Sequence, residues 1–315
     1  MKLLFLSRYQ NNVGRGAENF VEELSKRLSY HHSIDIFSGE DADYFKKVIY
    51  GNYDIVIPIN GRSQSLKASL GRIIGRYKIL ITGHSGIGWD DILNVLVRPD
   101  VFVALTDGQK KWAKNWAWGS KIIKIPNGID LDKFSPHGKK INIDLPRPII
   151  LSVGALAWYK YHDRVIEAIS KLGRGSVLIV GDGPLKEKLI RAGKSLLGSR
   201  FKIASFQYED MPNIYRCADL FTLPSWDREA FGIVYLEAMA SGLPVVAPDD
   251  LSRREIINGA GILTDVSKSQ EYAKALNDCL EKDWKDIPRK QAEKFSWEKV
   301  SQMYEEAMLN MLKVK

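Results

Sequence analysis

Residues 224–246 read PSWDREAFGIVYLEAMASGLPVV. From Ala230 to Ala240 the only charged side chain is Glu237. Ile233, Leu236 and Ala240 recur at helical spacing, as do Val234 and Ala238. Gly242 and Pro244 close the helix in the usual order. Glu237 therefore falls in the second turn of a mostly buried helix, where a carboxylate needs hydrogen-bond partners to offset its desolvation. Glu229 precedes the helix on a Ser-Trp-Asp-Arg loop. The backbone N–H groups of Phe231, Gly232 and Ile233 form the helix N-terminus, which favours anions. A carboxylate, a helix N-terminus and a second carboxylate thus follow one another. A ligand made of a sugar, a diphosphate and a ribose presents hydroxyls, phosphates and a diol in the same order.

On both sides of this stretch, apolar strand signals alternate with helices. In the first half strands are expected near 1–7, 34–37, 55–59, 78–82, 101–105 and 122–125. Helices are expected near 17–28, 63–77, 90–97 and 107–116, and Thr106 to Gln109 has the form of a capping box. The second half repeats the alternation, with strands near 149–153, 176–180, 201–203, 220–223, 245–247 and 261–263. Its helices are expected near 162–171, 185–193, 211–217, 233–240, 253–257 and 268–281. Residues 287–312 read helical, with a break near Ser296-Trp297. Continuous apolar strands separated by helices argue for parallel, doubly wound sheets. Residues 134–148, rich in Pro, Gly and Lys, read as a linker.

The 315 residues suit two domains, and 45% hydrophobic with 27% charged residues is a globular composition. Cys217 and Cys279 have no metal-ligand spacing and read as reduced thiols, which points to a cytoplasmic protein. The apolar run at the N-terminus is too short for a signal peptide, and no run reaches membrane-spanning length. The net charge of +8 is concentrated in residues 1–146, which carry +6 against +2 for the remainder. Basic surfaces attract phosphates, nucleic acid or anionic lipid, and solvated surface lysines explain the same excess. No nucleic-acid-binding module is present.

Glu229 to Glu237 with the following Ala-Met-Ala-Ser-Gly-Leu-Pro resembles the E-x7-E element of retaining glycosyltransferases with the GT-B fold, in particular the GT4-like family. A buried, capped structural helix is the plainer reading of the same residues. The resemblance runs along most of the chain and is strongest over 126–261. It implies two Rossmann-like domains facing each other across a cleft: an acceptor domain, 1–140, and a nucleotide-sugar domain, 147–296. The C-terminal helix, 297–315, would cross back to the first domain. It also implies a nucleotide-diphosphate sugar as co-substrate and a glycan or lipid-linked acceptor. Front-face attack guided by the departing phosphate would retain the anomeric configuration, with no protein nucleophile assignable.

Further motifs fit that resemblance. Gly14-Arg-Gly16-Ala17-Glu18 follows the first strand, and its glycines permit close backbone approach to a phosphate, although it lacks the third glycine of a dinucleotide fingerprint. His84, between Gly83 and Ser85-Gly86, matches a family histidine near the transferred sugar and acceptor; lone histidines are more often structural. Pro126-Asn127-Gly128-Ile129-Asp130 reads as a tight turn with Asn or Gly at positive φ. Lys160 matches a family phosphate cation. Ala155 stands where the family carries an arginine, and Arg228 or Arg15 are the candidate substitutes. Gly183, in Gly181-Asp-Gly-Pro184, matches a turn near the nucleotide, and the segment 206–208 matches the region that reads the base. The implied site is Glu229 and His84 at the reacting sugar, with the donor held by Gly14, Gly16, Lys160, Gly183, Ala230, Phe231, Gly232 and Glu237. Glu237 would take the ribose diol.

No metal is required in this reading, since a lysine, backbone amides and a helix N-terminus can carry the diphosphate charge. Asp41-Ala-Asp43 and Asp130-Leu-Asp132 have a metal-binding spacing and read as incidental. On 62–77, Leu66, Leu70, Ile73, Ile74 and Tyr77 share one face, with Arg62, Lys67, Arg72 and Arg76 mostly elsewhere. Residues 110–118 interleave lysines with Trp112, Trp116 and Trp118. The common arrangement packs such a face on the sheet; the other lays it on an anionic membrane at the inner face of the cell. Alternative functions are an epimerase or phosphorylase of the same fold, and a non-catalytic nucleotide-sugar-binding subunit.

Overall fold

A computed structural model of the chain describes residues 1–8, 10, 16–59 and 62–313. It divides into two units, Met1–Gly128 with Phe295–Lys315, and Ile129–Lys294.

The first unit contains β1 (Lys2–Leu6), α1 (Gly16–Leu28), β2 (Ser33–Phe37), α2 (Phe45–Tyr50), β3 (Ile55–Pro58), α3 (Arg62–Gly75), β4 (Lys78–Thr82), α4 (Trp89–Leu96), β5 (Val101–Ala104), α5 (Asp107–Lys114) and β6 (Lys121–Lys124). The second contains β7 (Ile149–Val153), α6 (His162–Leu172), β8 (Ser176–Val180), α7 (Lys186–Leu197), β9 (Phe201–Ala204), α8 (Met211–Tyr215), β10 (Leu220–Thr222), α9 (Ile233–Ala240), β11 (Val245–Pro248), α10 (Leu251–Ile257), β12 (Gly261–Thr264), α11 (Ser269–Glu281) and α12 (Ile287–Ala292). The chain then returns to the first unit as α13 (Trp297–Lys313).

Each unit is built on a six-stranded sheet, in the order β2-β1-β3-β4-β5-β6 and β12-β11-β10-β7-β8-β9. Both sheets are parallel, as the apolar strands predict. In the first sheet alternate residues of one strand serve two cores: Leu3 and Phe5 pack with α1 and α13, while Leu4 and Leu6 face the cluster of Val48, Ala68 and Phe102. α13 buries Trp297, Val300, Tyr304, Met308 and Met311, a three- and four-residue spacing that sets one face against α1. Its break from α12 falls where Ser296-Trp297 suggests.

Four local expectations change. The six-residue α2 carries no cap and no long periodicity, so the sequence does not announce it. Neither Asn127 nor Gly128 has positive φ. Gly128 is needed because a Cβ there would stand 2.4 Å from the Trp297 ring. The stretch read as a linker is bound to the second unit: Arg216 donates to the carbonyls of Ser135 and Lys139, and Arg289 to those of Leu131 and Phe134. Lastly, α3 turns its apolar face outward. Leu66, Leu70, Ile73 and Ile74 are exposed, while Ser65, Ala68 and Gly71 face inward. A Cβ on Gly71 would lie 2.5 Å from the Tyr77 hydroxyl and 3.0 Å from Phe45, so small residues let α3 approach its neighbours closely. Tyr77 departs from the exposed face and is buried, its hydroxyl donating to the Ala68 carbonyl at 2.9 Å.

Candidate functional site

In the second sheet the strand order reverses between β7 and β10. Ligands of open parallel sheets sit beyond the carboxyl ends of the strands at such a point. The loops leaving these two strands are joined there. The Trp226 amide donates to the Tyr159 carbonyl at 3.0 Å, and the Trp226 ring packs on Trp158 and Tyr159 at centroid distances of 5.2 and 5.3 Å. This clamp brings together two residues far apart in sequence: Lys160 Nζ donates to the carboxylate of Glu229.

Both side chains are largely buried, at 14% and 18% exposure. Burial pushes the Glu229 carboxyl up, but Lys160, Arg253 and Ser225 together outweigh it and hold the group below the usual carboxylate range. Arg253, on α10, is fully buried. It donates to Asp250 at 2.7 Å, to the Ser225 hydroxyl at 2.7 Å and to the Trp226 carbonyl at 3.0 Å. Burial alone would lower its pKa; Tyr235, Asp250 and Glu229 more than reverse that. One guanidinium thus ties down the loop that carries Glu229 and adds a second positive charge near it.

Glu229 also lies against the start of α9. A Cβ on Gly232 would come 3.7 Å from its Cγ and 2.8 Å from the Tyr235 ring, and Gly232 has φ +85°, so this position demands glycine. Ala230 is partly exposed and Phe231 is buried. One helical turn further on, Glu237 is buried and accepts a 2.7 Å hydrogen bond from the Tyr215 hydroxyl. Burial raises its carboxyl to about 7 despite Tyr215 and Lys133, which pull the other way. Their surroundings thus shift the two glutamates in opposite directions, Glu229 below and Glu237 above the usual carboxylate range.

Gly183 has a packing reason of its own: a Cβ would meet the Leu156 carbonyl oxygen at 2.8 Å. His162, given no role by the sequence, is buried with Nδ1 3.0 Å from the Ser152 hydroxyl. Burial and the nearby Lys160 lower it to about 4, so it is neutral.

In the first unit His84 follows β4. Its ring stands 4.3 Å from that of Phe20, and Nε2 is buried with no hydrogen-bond partner among the described residues. Burial lowers it to about 4. The loop beneath is held by a buried polar network. Gln109 donates to the Gly83 carbonyl at 2.7 Å and to Asp91 at 3.1 Å, and Asn94 donates to Asp91 at 3.0 Å. Burial raises Asp91 to about 7 against the hydrogen bonds from Asn94, Ser85, Gln109 and Gly86. Thr106 caps α5, accepting from the Gln109 amide at 3.2 Å, and the Gln109 side chain also accepts from the Leu105 amide at 2.7 Å. Gly14 and Arg15 lie outside the described residues, and Gly16 opens α1.

Arg253 is the main residue that sequence reasoning missed. Arg228, considered as the substitute for the absent arginine, is exposed and lies over the Trp226 ring. The available signal was Asp250 three residues before Arg253, an N-cap that aims the first turn of α10. The Asp-x-Asp pairs are accounted for locally. Asp41 and Asp43 pair with Lys47 and Lys67, and Asp130 accepts from the amides of Asp132 and Lys133. Among the described residues no group of His, Cys, Asp or Glu is arranged to hold a metal, and no helix is long and apolar enough to cross a membrane.

The family model described as "Glycosyl transferases group 1" matches residues 134–297. The phosphatidyl-myo-inositol mannosyltransferase of Mycobacterium tuberculosis is 30% identical over 185 residues, 56% of this chain and 48% of that protein. The match thus spans about half that relative's length. The GDP-mannose-dependent alpha-(1-6)-phosphatidylinositol monomannoside mannosyltransferase of Mycolicibacterium smegmatis is 26% identical over 84% of this chain and 78% of its own. Among solved structures, Anabaena Alr3699/HepE in complex with UDP has a TM-score of 0.81 at 19% identity, covering 98% of this chain and 100% of that one. Sucrose-phosphate synthase from Thermosynechococcus elongatus has 0.85 at 17%, covering 100% of both. These likenesses show a shared GT-B fold.

Proposed function

The chain belongs to the group 1 glycosyl transferases, and from that premise we propose that it moves a sugar, with retention, from a nucleotide-diphosphate sugar to a lipid-linked or glycan acceptor without a metal ion. The observation that carries this reading is the Lys160–Glu229 pair at the β7/β10 switch point, beside the N-terminus of α9.

In the free protein Lys160 neutralises Glu229. An arriving diphosphate competes for the ammonium, and Glu229 turns to the hydroxyls of the transferred sugar. Arg253 helps to keep that carboxylate ionised; fully buried and bound to Asp250, Ser225 and the Trp226 carbonyl, it does so without replacing the arginine absent at Ala155. The leaving diphosphate gains negative charge in the transition state; Lys160 and the amides around Phe231–Gly232 stabilise it, preorganised and partly shielded from water. Glu237 takes the ribose diol, its raised pKa matching a group that exchanges the Tyr215 hydroxyl for sugar hydroxyls. Gly183 keeps the neighbouring turn low enough for the nucleotide. In the same proposal His84, neutral and with Nε2 without a partner among the described residues, has a role at the sugar and acceptor, and the Gly14–Gly16 loop one at the diphosphate. The relatives named above make GDP-mannose the first donor and a phosphatidylinositol-type lipid the first acceptor to try.

Thermal-shift measurements with UDP-, GDP- and ADP-sugars identify the donor, because a ligand of the native state raises the melting point by mass action. With that donor, the anomeric configuration of the product reports retention, and activity in EDTA reports metal independence. Glu229→Ala should lower turnover by about 100-fold and affinity for the bare nucleotide far less. Glu237→Ala should weaken the nucleotide itself. Equal losses of turnover and affinity in Glu229→Ala, or unchanged affinity in Glu237→Ala, overturn these assignments. Analysis of the sugar after incubation with donor alone separates a transferase from an epimerase.

A further inference from the structure

The outward face of α3 continues onto α4. The two helices are stapled side by side by Ser65 to Asn94 at 2.9 Å, Ser69 to the Val97 carbonyl at 2.8 Å and Arg72 to the Arg98 carbonyl at 2.9 Å. On the exposed side stand Leu70, Ile73 and Ile74 of α3 and Trp89, Leu93 and Leu96 of α4. Ile73 and Trp89, toward opposite ends of the paired helices, are 78% and 79% exposed, and large exposed apolar side chains gathered on two adjoining helices mark an interaction surface.

Beside the patch is a cavity of about 610 Å³ lined by Arg72, Arg76, Arg98, Ile73 and Trp118. A second cavity, of about 300 Å³, shares Arg98 and Trp118 and adds Leu96 and Trp116. The first suits a phosphate and the second a short length of hydrocarbon. Arg76 and Arg98 each follow the end of a helix with φ of +54° and +53°. Glycine adopts that conformation freely, whereas arginine is strained in it. Two of the six described non-glycine residues at positive φ thus stand on the rim of one cavity. Among the described residues neither arginine is in an ion pair. The sequence of α3 holds no acidic residue, and Asp100 at the cavity edge is paired with Lys78 at 3.1 Å and with Arg72 at 3.7 Å.

We propose that the α3–α4 face docks on an anionic lipid bilayer, with a lipid phosphate between Arg72, Arg76 and Arg98 and the apolar side chains and Trp118 among the acyl chains. An arginine-rich rim, whose acidic member Asp100 is neutralised by Lys78 and Arg72, around an apolar patch is complementary to anionic headgroups over hydrocarbon. A second copy of the chain meeting the same face about a two-fold axis would set this basic rim against itself. The proposal deepens the transferase reading by making the acceptor a membrane lipid, and rests on it for that consequence alone.

Flotation with vesicles of phosphatidylcholine, and of phosphatidylcholine with 30% phosphatidylglycerol, tests it. The protein should float only with the anionic vesicles, and raised salt should weaken the binding. The double variant Arg76→Gly/Arg98→Gly relieves two strained backbones, so its melting point should hold or rise while partitioning falls at least tenfold. Ile73→Asp/Ile74→Asp should reduce partitioning similarly. Equal binding to neutral vesicles, absence of binding to anionic vesicles at low salt, or unchanged partitioning in the glycine variant overturns the proposal. So does a site that takes up free glycerol phosphate and releases the vesicles in exchange. The thermal shift with nucleotide sugars, measured on the same proteins, reports the transferase reading separately: donor binding without flotation sinks only the membrane surface.

Discussion

The two units share a parallel six-stranded architecture and use its loops in opposite ways. Beyond β7 and β10 the second unit buries charge: Lys160, Glu229 and Arg253, distant in sequence, are brought together, with Lys160 paired to Glu229 and Arg253 to Asp250. Beyond β4 the first unit buries groups shifted toward their neutral forms, with His84 lowered to about 4 and Asp91 raised to about 7 among amide donors. Buried charges tolerate no missing partner, whereas a neutral network can lose one member at moderate cost. The second unit is thus the rigid electrostatic half, and the first unit offers neutral hydrogen-bonding groups and an apolar surface.

The sharpest way to break that contrast is Arg253→Met. It fills similar volume but leaves Asp250 and Glu229 short of a cation and frees Ser225 and the Trp226 carbonyl. The expected loss is about 3 kcal/mol of stability, read by denaturant unfolding. Arg253→Lys should recover part of it, since one ammonium can reach Asp250 or Ser225 but not both with the geometry of a guanidinium. A loss below about 0.5 kcal/mol in the Met variant, the range of ordinary surface substitutions, would mean that the charge cluster is not what holds the loop.

Glu237→Gln sharpens the comparison from within the second unit. The folded carboxyl is raised from 4.5 to about 7, so the native state prefers it protonated. That preference stabilises the protein fully below the unfolded pKa and is lost as pH rises through about 7. The glutamine variant keeps the acceptor for Tyr215 and cannot ionise. It should match the parent near pH 4 and exceed it by about 2–3 kcal/mol at pH 8. Parallel stability curves for the two proteins between pH 4 and 8 would refute the raised pKa. Glu229, held low by Lys160, should show the opposite trend, with its contribution fading as pH falls.

Periodicity made the sheets legible, because a fully buried parallel strand is apolar on both faces, and α9 falls at 233–240 as its spacing indicates. The pair Glu229 and Lys160 was legible through a motif, but their contact was not, since it depends on the Tyr159–Trp226 clamp between two loops. Arg253 was illegible because an arginine on a short amphipathic helix looks like a solvated one until its burial is known. The direction of α3 was misjudged for a related reason. The hydrophobic pattern gives the apolar face but not where it points, and here Ser65, Ala68 and Gly71 pack inward because close approach outweighs apolar area.

The smallest expected effect tests the neutral half. Gly83 has ordinary backbone angles, so the sequence gives no conformational reason for a glycine. A Cβ there would lie 2.3 Å from Gln109 Nε2, the atom that donates to Gly83 and Asp91. Gly83→Ala should therefore push the amide aside and cost about 1–2 kcal/mol, less than removing Arg253, because Asp91 keeps Asn94 and can remain protonated. Gln109→Ala in the same background should add little further, since the two changes disrupt the same bonds. Full additivity of the two losses would show that Gln109 supports the fold by some route other than the His84 loop.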